Sequence, residues 1–291
     1  MSAQQRLGAR FEDFAVAKTR EAARARIERL TTIFETNWAI RSRAIGNAWT
    51  RTHYGGDFNL VAPPANRTAL SLVFVQSKDR NTGGGDPALL GGGATDKHLI
   101  YEGLTRVAAD AVLAGAGTLY ADAFFSVWHP ELVSLRRALG LPRHPTQIVV
   151  SKRRRLDFNA LLFNVPDVPV FLIAGDESVS RNMTEVAVRP WIRQIPLTSE
   201  DLRPVFDRLR IQDGIGRISA IGGRFTASRL VDAGLAQDLY LTTTSRKGGE
   251  PGTPWYSGDT PPSLDVVTKR QWLDDGSVLV FEQHLIRSQS S

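Results

Sequence analysis

The sequence contains no cysteine among its 291 residues. Disulfide bonds, thiolate nucleophiles and cysteine-ligated metals are therefore excluded. Long apolar runs are also missing, since no stretch approaches the roughly 18 residues of a membrane-spanning helix. The opening residues M-S-A-Q-Q-R lack the apolar segment of a secretory signal. These absences predict a cytoplasmic protein that has no membrane partner.

Several catalytic motifs are absent as well. The chain has neither the G-x-S-x-G of serine hydrolases nor the G-x-x-x-x-G-K-[ST] of P-loop enzymes. Its five histidines show no H-x-x-x-H spacing, so no metal site is expected. They are His53, His98, His129, His144 and His284.

The net charge of +6 lies mainly in the first part of the chain. Residues 1–60 hold ten Lys and Arg against six Asp and Glu, which leaves the remaining residues close to neutral for their length. A solvated helical face explains such an excess better than a nucleic-acid surface. No nucleic-acid partner is therefore expected.

A long helix is predicted at residues 9 to about 50, which contain no proline and a single glycine. Ile27, Leu30, Phe34 and Trp38 recur at i, i+3, i+7 and i+11, which places them on one helical face. A helix of this kind needs a surface to cover its apolar stripe. We therefore expect residues 1–60 to be a helical N-terminal extension that helps to hold a homodimer together. The alternative is that the stripe packs on its own subunit.

Residues 66–287 alternate predicted strands and helices and end on an antiparallel hairpin. The strands are predicted at 68–75, 111–114, 146–150, 170–174, 217–221 and 238–244, and the helices at 95–109, 131–139, 199–209 and 226–233. Two apolar segments, 266–273 and 277–286, flank an Asp-Asp-Gly turn that is typical of a hairpin. This order predicts an α/β fold with a mixed, mostly parallel sheet flanked by helices.

Two glycine turns follow predicted strands about 105 residues apart. The first is Gly115-Ala116-Gly117-Thr118, and the second is Gly222-Gly223 at the start of a predicted helix. Glycines at such places let a ligand approach the backbone, and the helix dipole favours an anion there. A strand end of this kind suits the phosphates of a dinucleotide. Asp122 places a carboxylate four residues after the first turn.

Longer motifs surround both turns. The pattern R-x-x-x-D-A-V-L-x-G-A-G-T-x-x-A-D extends from Arg106 to Asp122, and G-G is followed by G-L-x-x-D-L at residues 234–239. An S-x-D follows the first strand at Ser77 and Asp79. With these motifs the chain resembles the dihydrofolate-reductase-like superfamily. More narrowly, it is similar to the reductase (C-terminal) domain of the bifunctional riboflavin-biosynthesis deaminase/reductase.

The resemblance covers residues 66–287 and implies a dihydrofolate-reductase-like domain that uses NADPH. Hydride reduction of a C=N or C=O group needs a proton donor or a carboxylate near the acceptor, which assigns catalysis to Asp122 and then Asp79. The substrate would contact Ser77, Arg106 and Trp128. The cofactor would contact both glycine turns and a basic segment that suits its 2′-phosphate: Gly115, Gly117, Thr118, Ser151, Lys152, Arg153, Gly222, Gly223, Arg224, Phe225 and Thr226.

Three positions depart from the family's pattern on the substrate side. Asn81 stands where the pyrimidine reductases have a lysine, Ile221 where they have an acid, and His129 near their phosphate-binding arginine. The resemblance therefore implies an NADPH-dependent reductase of a small heterocyclic or imine/carbonyl substrate. Two alternatives remain open: 5-amino-6-(5-phosphoribosylamino)uracil reductase itself, and a non-catalytic nucleotide-binding paralogue.

Overall fold

The computed structural model describes residues 3–36, 42–83, 90–152, 155–274 and 277–287. The helices are α1 (Ala3–Arg24), α2 (Ala48–Tyr54), α3 (Gly93–Thr95), α4 (Pro130–Ala138), α5 (Asp176–Ala187), α6 (Arg203–Asp213) and α7 (Arg224–Asp232). A π-helix (Asp96–Leu104) continues α3, and 3₁₀ turns occupy Ala116–Thr118 and Leu161–Asn164.

The strands follow one another as β1 (Thr31–Glu35), β2 (Ser42–Ile45), β3 (Phe58–Val61), β4 (Ala69–Gln76), β5 (Ala111–Gly115), β6 (Thr146–Ser151), β7 (Val170–Ala174), β8 (Ile192–Pro196), β9 (Arg217–Ala220), β10 (Ala236–Thr244), β11 (Ser263–Asp274) and β12 (Ser277–Arg287). Ten of them form one sheet in the order β1-β11-β12-β10-β4-β9-β5-β6-β7-β8. From β10 to β8 all neighbours are parallel. At the other end, β12, β11 and β1 add antiparallel pairs.

This sheet confirms the predicted fold class, including the C-terminal hairpin of β11 and β12. Successive residues of β5 point to opposite faces, so Val112 lies in one buried core and Leu113 in the other. Strands buried on both faces read as continuous apolar runs, which is why the central strands were predictable. The predicted strands at 68–75, 146–150, 170–174 and 217–221 match β4, β6, β7 and β9 closely.

Two elements at the far edge of the sheet were not predicted. Helix α5 carries few apolar residues, and its Met183 is 62% exposed. Strand β8 is an edge strand with polar residues between its two buried isoleucines, Ile192 and Ile195. In the fold, α5 packs against β7 and β8, and β8 pairs with β7.

The prediction of a helix to about residue 50 was wrong. Helix α1 ends at Arg24, and residues 31–35 form β1, which pairs with β11. The segment Thr-Thr-Ile-Phe favours a strand because β-branched and aromatic side chains fit a pleated surface. Ile27 and Leu30 are buried in the core of their own chain, and Phe34 is 46% exposed. Trp38 lies outside the described residues.

Helix α1 packs on its own chain through a different face. Phe11, Phe14, Ala15 and Ala22 follow the helical repeat and contact the core beside the segment between β5 and α4. The boundary between an extension at 1–60 and a domain at 66–287 stays a prediction. Of the helices in the described ranges, none combines the length and hydropathy needed to cross a membrane.

Candidate functional site

The two glycine turns meet at the carboxyl edge of the sheet. They leave β5 and β9, which are parallel neighbours with Leu113 opposite Ala220. Ile221 extends the contact, because its N–H donates to the Leu113 carbonyl over 2.9 Å. A Cβ built on Gly115 would lie 2.8 Å from the Thr226 hydroxyl of α7. The structure thus joins residues that are far apart in sequence into one glycine-lined surface.

The outer glycines of the two turns face open space. A Cβ on Gly117 or on Gly223 would meet no heavy atom within 4 Å among the described residues. Gly223 is also the N-cap of α7, whose first N–H groups and positive dipole end point to this edge. Gly222 differs, because a Cβ there would lie 2.8 Å from Cβ of Thr226. Gly222 therefore serves close packing, while Gly117 and Gly223 leave room for a ligand.

The two residues that follow Gly223 flank this opening. The Arg224 guanidinium donates to the Gly252 carbonyl over 3.4 Å and lies 5.4 Å from the centre of the Phe225 ring. Phe225 is 73% exposed, which is unusual for a large apolar side chain. This pair offers a cation and an aromatic face beside the helix N-terminus.

Ser151 and Lys152 lie at the end of β6, on the same edge of the sheet. Ser151 is buried, and its Oγ accepts a hydrogen bond of 3.1 Å from Ser178. Lys152 is half-exposed and forms an ion pair with Glu200. A Cβ on Gly175 would lie 2.6 Å from the Lys152 carbonyl oxygen, so this glycine permits the close approach of the two strand ends. Arg153 lies outside the described residues.

Asp122 is exposed, with 61% of its side chain accessible, and it contacts the N-terminal helix. The Arg10 guanidinium donates to an Asp122 carboxylate oxygen over 2.8 Å. It also donates to the carbonyls of Ala121 and Asn159, at 2.8 Å and 3.0 Å. Arg10 therefore ties α1 to the two loops beside the proposed catalytic acid.

Asp79 lies in the loop after β4, which is a different segment from the one that contains Asp122. Its carboxylate accepts a hydrogen bond of 3.1 Å from the N–H of Gly248, and Asn81 donates to the Gly248 carbonyl over 3.2 Å. The Ser77 N–H donates to the Asn81 carbonyl over 3.0 Å, closing a turn in which Arg80 has a positive φ of 64°. These contacts tie the loop to residues 246–253.

Arg106 and Trp128 are both 2% exposed. The Arg106 guanidinium lies 4.0 Å from the centre of the Tyr101 ring and donates to the Ser126 carbonyl over 3.2 Å. The Trp128 ring packs against Phe14 of α1 and lies 5.3 Å from the Arg143 guanidinium. Both side chains shape the interior in this arrangement, and contact with a substrate stays a prediction.

His129 also has a packing role. Its ring stacks on Trp49 of α2 with 4.1 Å between ring centres. Burial, followed by repulsion from His98 and His53, lowers its pKa to about 4, so the ring is neutral near pH 7. A neutral ring replaces a cation at a position near the family's phosphate-binding arginine. The three residues that depart from the family's pattern are Asn81, Ile221 and His129. Each contacts other residues of the chain, and none carries the charge of the residue that it replaces.

Sequence patterns gave no signal for three residues of this edge. Arg10 comes from a helix outside the family motifs, and Glu200 and Arg229 meet Lys152 only through the fold. Asp110, in the long motif, has a structural role at the opposite edge, where its carboxylate accepts hydrogen bonds from the N–H groups of Gly216 and Arg217.

Within the described residues, no group of three or more His, Asp or Glu side chains could hold a metal ion.

Comparison with solved structures shows the same fold in several proteins. A pyrimidine reductase-like protein from Corynebacterium diphtheriae matches with a TM-score of 0.61 and 21% identity, over 76% of this chain and 93% of that one. RibD from Acinetobacter baumannii matches with a TM-score of 0.57 and 16% identity, over 76% of this chain and 58% of that one. The matched region thus spans little more than half of that longer protein.

A third structure is a deaminase and 5-amino-6-(5-phosphoribosylamino)uracil reductase from Thermotoga maritima, with a TM-score of 0.51 and 19% identity over 76% of this chain and 57% of that one. No curated protein matches the sequence significantly. The model of the RibD C-terminal domain matches residues 82–280, which is more than half of the chain. The chain therefore belongs to the RibD C-terminal domain family.

Proposed function

We propose that the protein is an NADPH-dependent reductase that transfers hydride to a small heterocyclic or imine/carbonyl substrate. The observation that carries this proposal is the meeting of the two glycine turns through Thr226, beside the N-terminus of α7. Open space at Gly117 and Gly223 fits a pyrophosphate that approaches the backbone. Membership of a reductase family supports the same function.

The residues of the carboxyl edge fit a phosphorylated dinucleotide. The N–H groups at the start of α7 would hold the pyrophosphate, and Arg224 and Phe225 would lie beside it. Lys152 and Arg229 would meet the 2′-phosphate. The bound cofactor supplies the hydride, and the reduced substrate takes up a proton as well. Asp122, which is open to solvent, would take a proton from water and pass it to the substrate.

The substrate side favours a compound other than a phosphoribosyl pyrimidine. Asn81 is bonded to Gly248 and the neutral His129 stacks on Trp49, so neither supplies the positive charge of the lysine or arginine it replaces. Ile221 is bonded to Leu113 through its backbone and supplies no acid. The uracil reductase activity for which the Thermotoga maritima protein is named is the alternative within this class. A substrate panel that includes phosphorylated and unphosphorylated pyrimidines would separate the two.

A non-catalytic nucleotide-binding protein is the second candidate. Arg10 donates a hydrogen bond to a carboxylate oxygen of Asp122, which engages the proposed catalytic acid. Both candidates predict NADPH binding, which fluorescence titration with NADPH and NADH would measure. A protein that binds neither cofactor contradicts both. Oxidation of bound NADPH by members of the panel distinguishes the reductase from the binding protein.

The variant Asp122→Asn tests the proposed catalytic acid. We expect hydride transfer to fall at least a hundredfold while NADPH affinity stays within twofold, because the amide cannot exchange a proton. Asp167→Asn is the matched control, because it makes the same substitution at an exposed residue in another part of the chain. Equal turnover of the two variants would remove Asp122 from the chemistry.

A further inference from the structure

A triad of charged residues lies at the carboxyl edge of the sheet. Lys152 directly follows β6, Arg229 is on α7, and Glu200 lies between β8 and α6. The fold brings these three distant segments to one place. Ligands of open α/β sheets bind at this edge, where the strands end.

One carboxylate engages both cations. An Arg229 Nη2 donates to Glu200 Oε2 over 2.6 Å, and Lys152 Nζ pairs with the other carboxylate oxygen. Lys152 and then Arg229 lower the pKa of Glu200, so the group stays ionised near pH 7. The exposed fraction of the side chain is 47% for Lys152, 72% for Glu200 and 39% for Arg229. Ion pairs this exposed contribute little to stability, so the fold does not depend on the triad.

The triad is separated from the glycine turns by a short stretch of α7. Arg229 is six residues beyond Gly223, or about 9 Å along the helix axis at 1.5 Å per residue. An adenosine ribose can span such a distance between a pyrophosphate at the helix N-terminus and a second phosphate at the triad. Both cations can therefore face the end of a cofactor that starts at Gly223.

We propose that Glu200 determines how strongly the protein distinguishes NADPH from NADH, by competing with the 2′-phosphate for Lys152 and Arg229. This inference rests on the function proposed above. When NADPH binds, its 2′-phosphate replaces the Glu200 carboxylate on the two cations and is repelled by it. NADH has no such phosphate, so its binding leaves the triad unchanged. The carboxylate therefore narrows the preference for NADPH.

The variant Glu200→Gln removes the competing charge and keeps the size of the side chain. We expect NADPH to bind about tenfold more tightly and NADH affinity to change less than twofold, because one nearby charge acts only on the added phosphate. The gain should shrink as salt is raised from 0.05 to 0.5 M, as screening predicts. Isothermal titration with the full chain measures both dissociation constants.

The neighbouring residue offers a matched control. Asp201 is partly exposed and is paired with an arginine, Arg203, rather than with the triad. Asp201→Asn removes the same unit of charge one residue away, so both affinities should stay within twofold of wild type. A second pair of variants, Lys152→Ala and Arg229→Ala, should each weaken NADPH at least fivefold and NADH less than twofold.

The outcomes separate the inference from the proposed function. A wild-type protein that binds neither cofactor overturns both. A protein that binds NADPH, with a NADPH-to-NADH ratio unchanged in Glu200→Gln, overturns the inference and leaves the proposed function standing. Equal gains in Glu200→Gln and Asp201→Asn would show a general effect of net charge, and they too would overturn it.

Discussion

The glycines of the two turns differ in what a side chain would meet, and that difference yields a test. Gly117 is exposed and faces open space, whereas Gly222 packs against Thr226. We expect Gly117→Val to weaken NADPH binding at least tenfold, because the added side chain fills the space of the pyrophosphate. Its melting temperature should stay within about 2 °C of wild type.

Gly222→Val should instead lose stability, by about 1–3 kcal/mol, because its Cβ overlaps Thr226. Gly8→Val is the matched control, since a Cβ at Gly8 meets nothing within 4 Å among the described residues. Binding is measured by titration and stability by thermal unfolding. Unaltered NADPH affinity in Gly117→Val would remove the first turn from the cofactor site.

His144 makes stability depend on pH. Its ring packs edge-on against Phe11 and Phe124 and shares a 2.8 Å hydrogen bond with Ser126. Burial, followed by repulsion from Arg143 and Arg136, lowers the pKa of His144 from 6.5 to about 3. The unfolded chain therefore takes up a proton near pH 6.5 that the folded protein does not bind until much lower pH. The free energy of unfolding falls across that window as acid is added.

The variant His144→Phe keeps the ring packing and cannot be protonated. Between pH 7 and pH 5 we expect it to lose less stability than wild type, by on the order of 1–2 kcal/mol. The His129 ring, with its pKa lowered to about 4, leaves a residual slope in both proteins. Urea unfolding at several pH values measures the difference. Parallel stability curves for the two proteins would contradict a neutral, partly buried His144.

Among the elements, α1 is the one whose contacts depart most from expectation. Its Phe14 ring packs edge-on against Trp128 with 5.6 Å between centres, while Val16 on the other face is 54% exposed. Phe14→Ala should therefore lower the free energy of unfolding by about 2–4 kcal/mol. Val16→Ala, the control on the same helix, should change it by less than about 0.5 kcal/mol. Equal effects would mean that α1 does not dock as described.

How far the sequence predicts these elements depends on where their stability comes from. The central strands, such as β5 and β7, are apolar on both faces, so their own residues identify them. The glycine turns were predictable for a similar reason, because turn chemistry is local. Strand β1 was misassigned because its stability comes from pairing with β11, more than 220 residues away. The same holds for Arg10 and Glu200, whose partners are brought to them only by the completed fold.

At the scale of the whole molecule, the predicted homodimer stays untested, and its expected interface changes. Of the proposed stripe, Ile27 and Leu30 are buried within the chain, so they cannot face a partner. A deletion of residues 1–60 would not isolate the interface, because it removes core residues such as Tyr54 and Phe58. The remaining candidate surface is the outer edge of β1, which has no neighbouring strand among the described residues.

Ile33 and Phe34 on β1 are 50% and 46% exposed. An edge strand with exposed apolar residues can pair with the same strand of a second copy. We therefore expect a homodimer that Ile33→Lys weakens at least tenfold, because a charged side chain opposes edge pairing. Ile211→Lys is the control, since Ile211 of α6 is 72% exposed elsewhere. Light scattering over a range of concentrations measures the mass: a monomeric wild type would contradict the dimer, and a dimer unchanged in Ile33→Lys would place its interface away from β1.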